Sequence, residues 1–296
     1  MAVRSEGRRT LRGPGASAPS TPSKNGLGFL EPLPFVLTHV AALVGAILVG
    51  ISLRLVVLCL GLYALRMFFV GAGFHRYFAH RSFKTSRAFQ FVLAFMGTTA
   101  AQKGVLWWAG HHRNHHRFAD TPLDPHSPVQ RGFLWSHVGW VLTSKYDATP
   151  FDRMRDFARY PELRWLNRFW IGPPLVGLVF LYVVGGLPAA VWGGLVSTVL
   201  LWHGTFTINS LAHLFGRRRY ATPDNSRNSL ILALITGGEG WHNNHHRYRS
   251  SARQGFFWYE IDMTFLVLRL LEGLGIVWDV KEPPRSVVLE RPAELS

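Results

Sequence analysis

From Pro32 to Leu53 the chain carries no Asp, Glu, Lys or Arg, and from Phe169 to Gly216 it again carries none. About 20 such residues suffice to cross a bilayer as a helix, where backbone polar groups must be satisfied within the segment. A further apolar run, Leu55 to Phe74, is broken only by Arg66, which is expected to snorkel to the inner interface. Together with the first run it makes a hairpin. In the long stretch, Gly185, Gly186, Leu187 and Pro188 are a turn signal, which divides it into a second hairpin. The expected fold is an all-α integral membrane protein: four transmembrane helices in two hairpins, about 33–53, 55–74, 169–186 and 189–212, with a cytoplasmic helical cap. The run from Phe89 to Ala101 is too short to span and is expected at the interface or beneath the cap.

Thirty-two Lys and Arg against 17 Asp and Glu give a formal charge of +15. Such a balance would ordinarily raise nucleic acid as a partner. Here the basic residues flank the uncharged runs, as they do at the inner margin of membrane proteins, so no nucleic acid is expected. Residues 1–31, rich in Gly, Pro, Ser and Arg, read as a disordered basic tail, and an organellar transit peptide has a similar composition. Residues 282–296 read as a short C-terminal tail. The turn of the second hairpin has no Lys or Arg, whereas Arg217, Arg218 and Arg219 follow it on the other side, placing both termini in the cytoplasm. With Cys59 as the one cysteine, neither an internal disulfide nor a Cys-based zinc site can form.

The chain has 14 histidines. His112, His115 and His116 stand at i, i+3 and i+4, as do His242, His245 and His246, so on a helix each triplet shares a face and can converge on one point. His75 and His80 follow the second apolar run, and Asn209 and His213 lie four apart at the end of the fourth. The two triplets and their hairpins suggest a degenerate two-fold repeat. Imidazole is the commonest metal ligand, and nine neutral nitrogens exceed the four of a closed zinc site, implying two metals. Ferritin-like carboxylate sites need two Glu-x-x-His pairs, and only Glu239 and His242 have that spacing. His39, His111, His126, His137 and His203 read as ordinary core or surface histidines.

The segments HRYFAH (75–80), HHRNHH (111–116), NSLAH (209–213), GEGWHNNHH (238–246) and DPHSPVQRGFLWSHVGW (124–140) resemble, in that order, the membrane fatty acyl desaturases of the stearoyl-CoA desaturase type. The resemblance implies a desaturase domain over 32–281 and an oxygen-dependent enzyme with two iron ions, zinc being able to replace them in a purified sample. By position it makes His75, His80, His112, His115, His116, His213, His242, His245 and His246 the metal ligands, with Asn209 acting through water. It places Gln102, Trp108, Thr205 and Phe206 on a bent acyl tunnel, Phe206 standing where the family commonly has tryptophan. Glu239 matches a residue that orients an imidazole.

The implied reaction puts a cis double bond, at delta-9, into a saturated chain held as a long-chain acyl-CoA; an acyl lipid is the alternative substrate, and alkyl or fatty acid hydroxylation the alternative reaction. Arg113, Arg117, Arg227 and Arg247 are candidates for a phosphate-bearing headgroup by their closeness to the histidines. No haem or flavin segment is visible, so electrons are expected from a separate ferredoxin or cytochrome b-type donor and its reductase, attracted by the basic cap. The membrane would be a bacterial inner membrane or the endoplasmic reticulum.

Overall fold

The computed structural model describes residues 32–290, so the basic tail expected over 1–31 and the last six residues lie outside it. Helix α1 (Leu33–Val49) stops at Gly50, whose φ of 76° is open to glycine. Ser52 opens α2 (Leu53–Ala79) by accepting from the Leu55 amide at 3.4 Å. Beyond Phe68 the turns of α2 widen to π-helical geometry, which brings the helix into the buried centre of the protein. Ser86 caps α3 (Arg87–Thr98) in the same way, at 3.2 Å from the Phe89 amide.

Helix α3 lies against the widened part of α2: Leu93 and Ala94 are fully buried, and a Cβ at Gly73 would meet the Leu93 carbonyl at 3.1 Å. Helix α4 (Val105–Phe118) crosses beside them, and Phe74, Phe78, Leu93, Leu106, Phe157, Leu163 and Leu166 form one core. Short helices α5 (Phe133–His137) and α6 (Pro161–Arg168) lead to α7 (Gly172–Ala189). There the predicted turn is realised as a break at Gly186, φ 65° and ψ −164°. The chain folds back on itself, so that a Cβ at Gly194 would meet Leu178 Cδ1 at 2.6 Å. Helix α8 (Ser197–Asn209) completes the return limb.

Two helical stretches, Leu53–Ala79 and Gly172–His213, are long and apolar enough to cross a membrane, and Leu33–Val49 is apolar but shorter than expected. Ile47, Leu48, Leu53, Val183 and Val184 are among the large aliphatic side chains that these segments leave exposed. Large aliphatic side chains left exposed in such number suit a surface made for lipid or a partner.

Three histidines read as ordinary are tied into one chain. His39 Nε2 and His203 Nε2 are 3.0 Å apart, as are His203 Nδ1 and His137 Nε2, joining α1, α8 and α5. Arg66 departs from its expected place: it does not snorkel but is 8% exposed, held by oxygens from three directions.

After α8, α9 (Leu230–Ile235), α10 (His242–Arg247) and α11 (Met263–Gly273) build the remaining cap. The largely helical fold includes one two-residue antiparallel ladder, β1 (Lys84–Thr85) with β2 (Val277–Trp278), Thr85 facing Val277. The segment after 281 packs back onto the cap, where Val287 is buried with Tyr220 and Phe256.

Candidate metal centre

All nine singled-out histidines converge, in two groups. The ligand atoms of His75, His80, His112, His116 and His245 lie within 4.8 Å of one another, and so do those of His115, His213, His242 and His246. Each helical triplet is thus divided instead of converging on one point. At 3.6 residues per turn, residues i and i+4 lie about 40° apart, while i+3 falls about 60° to the other side. His115 and His245 are those odd members, and each serves the group that its two neighbours do not. The helices α4 and α10 therefore each contribute to both groups.

Four carboxylates fix the rings. His115 Nδ1 lies 3.0 Å from Asp124 Oδ2, His213 Nδ1 3.0 Å from Asp120 Oδ2 and His246 Nδ1 2.9 Å from Asp224 Oδ2, while His75 Nδ1 is bonded to Glu239 Oε2. Each Nδ1–H donates to a carboxylate, so each Nε2 presents a lone pair. Glu239 also accepts from Arg76 at 2.9 Å and Gln254 at 3.0 Å.

Burial alone would raise the Glu239 carboxyl, but His75 and Arg76 hold it down to about 2. Burial likewise opposes the charge on Asp120, Asp124 and Asp224, and their histidine partners and other hydrogen bonds outweigh it, holding all three below the usual carboxylate range.

The donor set fits metal ions. His75 Nε2 and His245 Nε2 are 3.0 Å apart, His245 Nε2 and His116 Nε2 2.9 Å, and His213 Nε2 and His242 Nε2 3.1 Å. His75 and His213 face these neighbours with lone pairs, and His115 Nε2 and His246 Nε2 are buried with no hydrogen-bond partner. A cation between converging lone pairs satisfies what hydrogen bonding leaves open.

Burial also pushes His80, His112, His116, His242 and His245 well below the ordinary value of 6.5, and His246 to about 4. Below 6.5 the unfolded chain binds protons that the folded metal-free chain refuses, so stability falls as pH falls. We expect the melting temperature of metal-free protein to drop steadily between about pH 7 and pH 5. A flat profile over that range would show that the imidazoles are not buried together.

The backbone around α10 is held as tightly as its rings. Asn228 Oδ1 accepts from the Asn243 amide at 2.9 Å and the Asn244 amide at 3.1 Å, satisfying the start of the helix. Asn243 Oδ1 accepts in turn from the Arg219 and Tyr220 amides at 2.8 and 2.7 Å. Asp120, Asp124, Asp224 and Asn228 were not legible as site residues. They lie in loops with no periodic relation to their histidines, although Asp124 opens the 124–140 segment that carried the resemblance.

Beside the histidines is a cavity of about 960 Å³, and Gln102, Trp108, Thr205, Phe206, Asn209 and His112 all line it. Gln102 Nε2 donates to Thr205 Oγ1 at 3.0 Å and Trp108 Nε1 to Gln102 Oε1 at 3.2 Å, while Trp108 stacks on His112. The Asn209 carbonyl accepts from Ser136 Oγ at 2.7 Å.

The four arginines have different surroundings. Arg113 directs all five N–H donors to Asp156 and to the carbonyls of Phe78, Ala79 and Arg153, which leaves none for a headgroup. Arg247 Nε donates to Glu290 Oε2 at 2.7 Å, and Arg227 Nη1 to the Gly216 carbonyl at 3.2 Å. Arg117 is exposed, its guanidinium 5.4 Å from the centre of the Phe118 ring.

Residues 51–271 match the family model described as fatty acid desaturase. Among curated relatives, an acyl-CoA 5-desaturase of Anemone leveillei is 40% identical over 230 residues, covering 76% of this chain and 71% of the relative. An sn-2 palmitoyl-lipid 9-desaturase of Nostoc sp. is 39% identical, covering 72% of this chain and 76% of its own. An sn-1 stearoyl-lipid 9-desaturase of Anabaena variabilis is 37% identical over 265 residues, covering 88% of this chain and 97% of its own.

Proposed function

Because the chain belongs to the fatty acid desaturase family and is an oxidoreductase, we propose that it introduces a cis double bond at delta-9 into a saturated acyl chain. The observation that carries this reading is the pair of converging histidine groups opening beside one largely apolar cavity. Two iron ions would be held by His75, His80, His112, His116 and His245 and by His115, His213, His242 and His246, with Asn209 reaching one of them through water. Iron bound there supplies the oxidising power that removal of two hydrogens from unactivated methylenes requires, consuming dioxygen, two protons and two electrons and releasing two waters; redox-inert zinc cannot.

The chain's own residues do the placing. Asp120, Asp124, Asp224 and Glu239 hold four imidazoles by Nδ1, so that each keeps Nε2 aimed inward. Trp108, Gln102 and Thr205 form a hydrogen-bonded wall that fixes the cavity beside His112. Such a wall matters because the substrate offers many nearly identical methylenes and no polar handle to sort them.

The carrier is a CoA thioester or a glycerolipid; relatives named for each stand at 40% and 39% identity. Both lipid-acting relatives are named as 9-desaturases and the Anemone protein as a 5-desaturase, and it is the former position that we assign. We place the enzyme across the membrane by α1, α2 and the two limbs that meet at Gly186, with both termini cytoplasmic, receiving electrons from a ferredoxin or cytochrome b-type donor. Expression in a host lacking unsaturated fatty acids is expected to restore growth and yield a monoene with its alkene at carbon nine. A product heavier by one oxygen would assign hydroxylation instead, and no new product with reductant present would overturn the proposal.

A further inference from the structure

Arg66 is a buried cation in an apolar helix, and it lines the cavity. Its five N–H donors are all placed. Nε goes to the Leu62 carbonyl at 3.3 Å, Nη1 to the Thr99 carbonyl at 3.4 Å and Thr198 Oγ1 at 2.7 Å, and Nη2 to the Gly193 carbonyl at 3.4 Å and Ser197 Oγ at 2.5 Å. Every acceptor is a neutral oxygen, and among the described residues no carboxylate forms an ion pair with it. A charge kept in such a place without a counterion calls for a local reason, since an aliphatic residue would fill the space without the desolvation penalty.

Its position supplies one. The acceptors come from α2, from the residue just past α3, and from the return limb of the second hairpin, so the guanidinium joins three walls of the cavity. Along α8, Asn209 and Thr198 are separated by about 16 Å of helix, at roughly 1.5 Å per residue. Leu62 on α2 and Gly193 on the return limb, little more than one turn beyond Thr198, are the residues of those two walls farthest from the histidines that still line the cavity. Arg66 therefore belongs to the layer at the end remote from the histidines.

We infer that Arg66 is the polar stop of the cavity and sets the greatest acyl length the enzyme accepts, a reading that rests on the proposed desaturation. A terminal methyl can pack against the face of the guanidinium. To go past it, the chain must separate hydrogen bonds from three elements at once and leave buried donors without acceptors, whereas stopping short disturbs none of them.

The test uses full-length protein in detergent and saturated acyl-CoAs from myristoyl to arachidoyl, with two readouts: thermal stabilisation by each chain and product formed from it. In the wild type, stabilisation rises with each added pair of methylenes and then breaks at one length. Arg66→Met moves that break, and the preferred substrate, toward longer chains, with a change of about tenfold or more in the ratio of long to short product. Bond position counted from the thioester stays the same, since the histidine end is untouched. Arg66→Lys, which keeps a buried polar cation, retains the parent length profile. An unchanged profile in folded Arg66→Met overturns the inference, as does wild-type stabilisation that climbs without a break; the latter measurement needs no variant to fold. If iron-loaded wild type makes no alkene from any chain while the break in stabilisation is present, the desaturase reading fails and the stop stands.

Discussion

Replacing His245 by Ala is expected to abolish alkene formation and lower the iron content of the purified protein, while the chain still accumulates in the membrane. His245 Nε2 lies 3.0 Å from His75 Nε2 and 2.9 Å from His116 Nε2, so it links the histidine of α2 to one from α4. The ring is 1% exposed, and Ala leaves a polar void where three nitrogens converged. The core of Phe74, Phe78, Leu93, Leu106 and Leu163 lies outside that void, which is why loss of the ligand does not mean loss of the fold. Product analysis by mass spectrometry together with iron per chain decides the matter. Retained turnover would remove His245 from the proposed metal shell; retained iron without turnover would confine its part to chemistry alone.

The second large effect belongs to a carboxylate. Glu239 binds His75 and Arg76 at once, and Arg76 is shared with Asp262 at 2.9 Å. Glu239→Ala therefore frees the Nδ1 of His75 and leaves a guanidinium that is 1% exposed with a single carboxylate. Breaking a buried pair from one side costs about 3–5 kcal/mol, and removing a partner that orients a ligand costs about 10–100-fold in metal affinity or activity. We expect a lower melting temperature in the metal-free protein as well as weaker iron binding. Glu239→Gln, which keeps an acceptor and the volume but not the charge, should fall between the two. Full stability in Glu239→Ala would mean that Arg76 is satisfied by Asp262 and the Ala252 carbonyl without it.

Much of the site is legible in the sequence because helical spacing and metal chemistry constrain the same residues. Two triplets at i, i+3 and i+4 can only be read as a shared face, and their six imidazoles together with His75, His80 and His213 have few other uses. The division of each triplet was not legible. Whether an arc of about 100° serves one point or two depends on what lies on either side of the helix, and that is tertiary information. The three aspartates, unlike Glu239, were hidden for a related reason: Asp120 and Asp224 meet His213 and His246 across loops, where sequence distance carries no angle.

The turn at Gly186 was legible because glycine beside Leu-Pro leaves a continuous apolar helix few other places to break. Arg66 was misjudged, since snorkelling assumes that water is the nearest source of oxygen atoms. Here Thr198, Ser197 and three carbonyls are nearer, so the side chain stays inside.

Anaerobic titration of metal-free protein with ferrous iron tests the centre most directly. Nine histidines gathered in groups of five and four should bind two irons per chain, both lost in acid as the imidazoles protonate. Saturation at one iron per chain, or binding that survives replacement of both His115 and His245, would contradict it.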